Sequence, residues 1–482
     1  MPQVRRAVSA VPIHVWVLIG SIATYVATFG TLTWQQHANF GTFGFDMGIY
    51  DQGIWLASRF EDPFVTVRGL NIFANHVDPI WVLFVPFYWL GAGPIFLSLV
   101  QATWMAAGAV PVYLLGRERL RNPWLGVALA AAYLLHPSLQ WITKFHFHPE
   151  AFAVTPLLFA WWFAIHERWR WFTVMVVMAL ASKESVAMAV FTLGLVVAWK
   201  FHRRVGLVTS AAALGWFLVA TRVIIPAATG GDGPFYSELY GQWGDNPLDI
   251  AQGILTNPSE VFDTVTHGDR LDYYRMMLAP VAFLPLLALP ALAIGVPQVL
   301  VNVLSSHTLT HSIQYQYSTV VLAAMFIALP EAVGRRNVRM GGRRFLVGLV
   351  VATSLAANVA WSPSPIGVDF RSGIWSREPR ARHVAINEAL DQLPDHASVS
   401  ATYYVVPHVT HRERVYEFPN PFRAANWGLR GKDLDPPEDV EYLLVDTTTL
   451  GEGREVFEQL IAEDYTVELS RDEIVLARRR PG

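Results

Sequence analysis

The chain has 482 residues, 53% hydrophobic and only 16% charged, with a formal net charge of -3. A water-soluble domain carries about a quarter charged residues, so a bilayer is the solvent for much of this sequence, and the small net charge argues against nucleic acid as a partner. The absence of cysteine removes disulfides, thiolate metal sites and cysteine nucleophiles together.

Residues 11–32 form an apolar run that is long enough to cross a bilayer and longer than the apolar part of a signal peptide. Arg5 and Arg6 precede it, and bulky polar residues follow it (Trp34, Gln35, Gln36, His37), without a cleavage site. It reads as an uncleaved first helix with its N-terminus in the cytoplasm. Further basic clusters, at 117–121, 167–170, 200–204 and 335–344, mark the same side, so an even number of crossings separates each from the next.

That parity places crossings at 94–116, 124–136, 151–166, 171–182, 186–199, 205–225, 277–294, 296–304, 319–329 and 345–361, about eleven with the first. Residues 79–90 read as an interfacial helix outside the membrane, ended by Gly91, Gly93 and Pro94. The outer loops are then 34–93 and the polar stretch 229–276. Beyond Trp361 no spanning run remains. Strands at 399–406, 441–446, 465–469 and 474–477 alternate with helices at 380–392 and 454–463. The expected architecture is a multi-spanning membrane domain, 1–361, and a small soluble extracytoplasmic α/β domain, 362–482.

Ionisable residues beside a bilayer are costly unless they have a partner or a task. Asp46 and Asp51 lie just after the first helix among Phe40, Phe43, Phe45, Ile49 and Trp55. One reading makes Asp46 the cap of a short helix and leaves Asp51 solvated; the other makes them catalytic. His76 and Asp78 precede Pro79, where Asp78 suits a helix N-cap and His76 a phosphate or an aspartate partner. Lys144, His146, His148 and Glu150 alternate along one turn. His146, His148 and Glu150 suit a divalent metal, Lys144 and His148 a phosphate, and the whole turn an interfacial anchor. Lys183 and Glu184, flanked by apolar helices, read either as a self-satisfied ion pair or as a lysine facing a lipid phosphate. His311, Gln314 and Tyr317 belong to a late outer turn that is either an interfacial belt or the wall of a head-group pocket. Arg68 adds positive charge to the first outer loop, and 407–412 holds His408, His411 and Arg412 after a strand.

The segments 45–52, 64–69, 76–79, 147–150, 183–184 and 404–419 together resemble a bacterial family of predicted polytopic membrane proteins of unknown function. That family in turn resembles the GT-C glycosyltransferases. The resemblance implies a membrane enzyme that takes a sugar from a polyprenyl-phosphate donor outside the cytoplasm. The acceptor would be a glycan, lipid or protein of the cell envelope. It further implies that an acid in the first outer loop is the general base, a role that falls by position on Asp46, with Asp51 second. Phosphate binding then belongs among Arg68, Lys144, His148 and Lys183. A lipid or solute transporter, or a non-catalytic assembly protein, is the competing expectation.

Overall fold

The structure is a computed structural model that describes residues 11–230, 235–428 and 434–481. The basic pair Arg5 and Arg6 and positions 231–234 of the 229–276 loop lie outside the described residues.

Most of the chain is helical. Five helices are long and apolar enough to cross a membrane: Ile13–Ala38, Pro94–Leu120, Arg203–Thr229, Gln316–Val333 and Met340–Trp361. A sixth span is formed if Pro123–Leu134 and Pro137–Lys144, bent by 48°, act as one. Pro149–Ile165, Trp169–Leu180 and Val186–Lys200 cover three more of the segments read as crossings, but with 10–17 residues they are shorter than a full span. Helix starts follow the prolines. Pro94, Pro123, Pro137 and Pro149 each stand in the first turn, where a missing N–H costs nothing. Asn122 completes one such start by accepting from the N–H groups of Trp124 and Leu125.

Two sequence expectations change. Residues 277–294 are not one crossing: they break into the short turns Ala279–Val281, Leu284–Leu287 and Leu289–Leu292. Pro280, Pro285 and Pro290 prevent a continuous helix there, and Ala282 and Phe283 take left-handed backbone at φ 52° and 57°. The 229–276 stretch is helical rather than an open loop, with Pro247–Thr256, Pro258–Val265 and Gly268–Leu278.

The C-terminal domain holds a five-stranded mixed sheet ordered β4-β3-β5-β7-β6. Its strands are β3 (Val399–Ala401), β4 (Val415–Glu417), β5 (Tyr442–Asp446), β6 (Tyr465–Arg471) and β7 (Ile474–Arg479). β3 runs parallel to β4 and β5; β7 is antiparallel to β5 and β6. Every residue of β5 is buried, as the middle strand of a covered sheet requires. The expected strand 399–406 ends at Ala401 and turns into a short 3₁₀ segment at Val406–His408.

One continuous core joins bundle and domain: Leu18, Tyr25 and Phe29 share it with Trp375, Val399 and Leu444. The first polar loop, which carries the two-residue strands β1 (Phe64–Val65) and β2 (Leu70–Asn71), is stitched directly to the domain. Gly44 N–H donates to the Tyr403 carbonyl at 2.6 Å, and Gly428 N–H to the Arg68 carbonyl at 2.8 Å. Thr66 Oγ1 both donates to the Val415 carbonyl (2.8 Å) and accepts from its N–H (2.9 Å). Gly69 is required at this seam: its φ is 69°, and a Cβ would sit 2.3 Å from the Trp427 ring.

Candidate active site

Asp46 does not cap a helix. It lies inside the kinked segment Gly44–Gly48 with φ 62° and ψ −83°, a conformation that side-chain-bearing residues adopt only under constraint. Its neighbours fix it, since Met47 is fully buried and Gly44 is bonded to the C-terminal domain. The carboxylate keeps 24% of its side chain exposed and faces His148 Nε2 at 3.4 Å. Burial works to raise its pKa, but His148, His146 and Lys183 outweigh that and hold it below the ordinary aspartate range. Asp46 is therefore ionised and still partly open to solvent.

The histidine turn is built around Gln101, a polar residue in the middle of an apolar span. Its amide donates to the carbonyls of Ile142 (2.9 Å) and His146 (2.6 Å), and its carbonyl accepts from the His148 N–H (2.7 Å). His148 Nδ1 lies 2.9 Å from the Phe145 carbonyl, which fixes the ring with Nε2 toward Asp46. Burial lowers the His148 pKa, yet Asp46 more than compensates and leaves it raised. His146 is buried with both ring nitrogens unpartnered among the described residues, and burial pushes its pKa down to about 3.

The three residues read as metal ligands diverge: His148 faces Asp46, while Glu150 pairs with Lys183. Among the described residues, no three His, Asp or Glu side chains gather to hold a metal. Lys183 and Glu184 are not a self-satisfied pair either. Lys183 bonds to Glu150, and its amine lies 5.8 Å from the centre of the Tyr317 ring. Glu184 accepts from the Val77 N–H at 2.9 Å and meets His76 Nδ1 at 3.0 Å. Adjacent residues in a turn point apart, so each finds a distant partner. Asp78 makes no cap hydrogen bond; it accepts from the Tyr50 hydroxyl at 2.5 Å.

His76, Glu150, Lys183 and Glu184 border a cavity of about 580 Å³. Its wall is mostly apolar, including Val186, Met188, Phe217, Ile254 and Leu300. The charged part of the wall is His76, Glu150, Lys183 and Glu184, with Gln316 and Tyr317 beside it. Asp46 is within electrostatic reach of both Lys183 and Tyr317. Helix Pro247–Thr256, overlooked in the sequence, closes one side through Ile250 and Ile254; the Asn246–Pro247 start was the signal available for it.

Other sequence candidates lie elsewhere. Asp51 is fully buried, accepting from Tyr88 (2.5 Å) and Thr410 (2.5 Å) hydroxyls and facing His411 Nε2 at 3.1 Å. It shares none of these partners with Asp46. Lys144 sits 5.8 Å from the Trp141 ring centre and 5.7 Å from that of Trp375. His311 Nε2 meets Asp269 at 3.0 Å and ties helix Gly268–Leu278 to the 305–311 loop. Gln314 is exposed. Arg68 lies over the Phe45 ring at 5.1 Å, with its Nε and Nη1 buried and unpartnered among the described residues. Beside it, burial raises Glu417 to a pKa of about 7, although Arg68 pulls the other way.

Residues 36–476 match the family described as "Predicted membrane protein (DUF2079)", and the chain belongs to it. No curated protein sequence matches. Among solved structures, the chain is similar to ArnT from Cupriavidus metallidurans bound to undecaprenyl phosphate. The TM-score is 0.52 at 13% identity, over 96% of this chain and 99% of that one. The apo oligosaccharyltransferase of Archaeoglobus fulgidus gives a TM-score of 0.44 at 13% identity, over 94% of this chain and 73% of its own. The likeness to ArnT shows a shared fold.

Proposed function

We propose that this membrane protein is a glycosyltransferase of GT-C type. It moves a sugar from a polyprenyl-phosphate-linked donor to a glycan, lipid or protein of the cell envelope. The observation that carries this reading is the single cavity whose apolar wall meets Lys183 and Glu150, with Asp46 and His148 within electrostatic reach. An apolar wall ending in a lysine suits a lipid that ends in a phosphate. The N-terminus is then cytoplasmic, and the cavity mouth and C-terminal domain face outward.

In this mechanism the acceptor hydroxyl attacks the anomeric carbon of the donor. The bond from that carbon to the phosphate oxygen breaks, and its electron pair leaves with the phosphate. Asp46 takes the hydroxyl proton; its depressed pKa keeps it ionised before the step, and His148 orients it. Lys183 exchanges Glu150 for the phosphate and meets the charge that develops there. Glu184 and His76 hold the Lys183 turn against the 76–80 segment, helped by the Ile80 N–H bond to the Ala181 carbonyl at 2.8 Å.

Purified protein given polyprenyl-phosphate sugars and envelope acceptors in detergent is expected to form a new glycosidic bond, without a sealed compartment. Asp46→Asn is expected to lower that rate by about 10²–10⁴-fold, the usual worth of a general base, and to keep the wild-type melting temperature. Unchanged transfer removes Asp46 from the mechanism. Substrate movement across vesicles with no covalent product makes the protein a transporter.

A further inference from the structure

A second hollow, of about 430 Å³, lies at the seam between the first polar loop and the C-terminal domain. It shares no lining residue with the cavity near Asp46. Its wall gathers two guanidinium groups, Arg59 and Arg412, and four imidazoles, His37, His396, His408 and His411. Asp395 is the one carboxylate among its lining residues, and Asp51 stands behind His411. Arg59 and Arg412 supply the fixed positive charge, which attracts anions in a concave, partly desolvated site; burial keeps His408 neutral, so it serves as a hydrogen-bonding group.

Three further features favour an anion there. Arg412 is only 8% exposed and keeps its Nε unpartnered among the described residues, although its Nη1 bonds to the Ala397 carbonyl at 3.0 Å. A buried donor left open is costly unless something fills it. His408 Nε2 is likewise buried and unpartnered among the described residues. Pro94, at the first turn of the 14-residue helix Pro94–Ala107, also lines the hollow, so the positive end of that helix adds to the field. Trp55 orders the rest: the Arg59 guanidinium lies 4.0 Å over its ring, and the His411 ring stacks at 6.0 Å.

We propose that this hollow is a phosphate-binding site, distinct from the cavity beside Asp46 and independent of the transferase reading. Two fixed cations and several imidazoles exceed what the two oxygens of a carboxylate can use, and match the oxygens of a phosphate. The phosphate belongs either to a free anion or to a lipid head group, because the same donors serve both.

Both sources are testable on the purified full-length chain. Inorganic phosphate, titrated in detergent at constant ionic strength, is expected to raise the melting temperature saturably, with binding confirmed by calorimetry. Arg59 and His396 are exposed, so the double variant Arg59→Ala/His396→Ala keeps its fold; its half-saturation is expected to rise by about tenfold or more. Lys183→Gln, which alters the other cavity, is expected to keep the part of the response that the double variant loses. The head-group arm compares nanodiscs of phosphatidylglycerol with nanodiscs of phosphatidylcholine. A stabilisation there that the double variant loses assigns the site to lipid; one confined to inorganic phosphate assigns it to a free anion. The proposal is overturned if neither arm responds, if the double variant responds as the wild type does, or if the response follows Lys183 instead.

Discussion

Asp46 and Asp51 are five positions apart and both acidic, yet the fold treats them in opposite ways. Asp46 is partly exposed, in constrained backbone, facing one histidine. Asp51 is sealed, with two hydroxyls and a histidine around it, two of those partners supplied by the C-terminal domain. An unfinished coordination shell suits a group that must exchange protons. A finished one suits a rivet. Chemical identity and neighbourhood in sequence therefore do not separate an open acid from a sealed one; the completeness of its shell does.

The sharpest way to break this contrast is to neutralise each acid in turn. Asp46→Asn is expected to cost catalysis and spare stability, as set out above. Asp51→Ala is expected to do the reverse. It leaves the Tyr88 and Thr410 hydroxyls and His411 without their acceptor and costs about 1–3 kcal/mol, the scale for stranding buried hydrogen-bonding groups. The correctly folded fraction should still transfer sugar at near the wild-type rate. Chemical denaturation and a per-molecule rate measurement separate the two outcomes, and matching profiles would erase the distinction.

Next in size is Lys183→Gln. It removes the cation at the cavity and strands Glu150, so both rate and stability fall. Adding Glu150→Gln is expected to restore the melting temperature but not the rate, since no cation then meets the phosphate. Recovery of both would make Lys183 merely structural.

A smaller effect tests the seam itself. Thr66→Val loses two hydrogen bonds to Val415 and should cost about 1–3 kcal/mol by denaturant titration, with part of the loss appearing as a lowered rate through Asp46. The smallest concerns pH. Glu417 has a folded pKa of about 7, above its ordinary value near 4.5, so the folded state holds its proton more tightly than the unfolded one. Its burial is harmless below pH 4.5, becomes increasingly destabilising as pH rises to about 7, and levels off above that. Glu417→Gln should therefore melt higher than wild type at pH 8 and show no such gain at pH 4.5.

The sequence made the apolar spans, the proline breaks and most of the tail's strands legible, because hydropathy and periodicity are local. It also picked out Asp46, His148, Glu150 and Lys183, which the fold brings to one neighbourhood. It misjudged whatever depended on distant partners. The adjacency of Lys183 and Glu184 left a mutual pair as one of two readings, whereas their partners are Glu150 and His76. Asp51 read as a second catalytic acid because Thr410 and His411 lie some 360 positions downstream. β4 escaped notice because three residues are too few to show alternation. Gln101 was passed over, although a polar amide in an apolar span was a visible signal.

The bond from Gly44 to Tyr403 makes the working loop depend on sequence translated much later. At ordinary elongation rates of about 5–20 residues per second, that loop emerges roughly 20–70 s before the strand-end that shapes it. A nascent or truncated chain therefore threads its helices with the acid in place but without the bend that presents it. The bend that presents Asp46 is therefore completed late in translation.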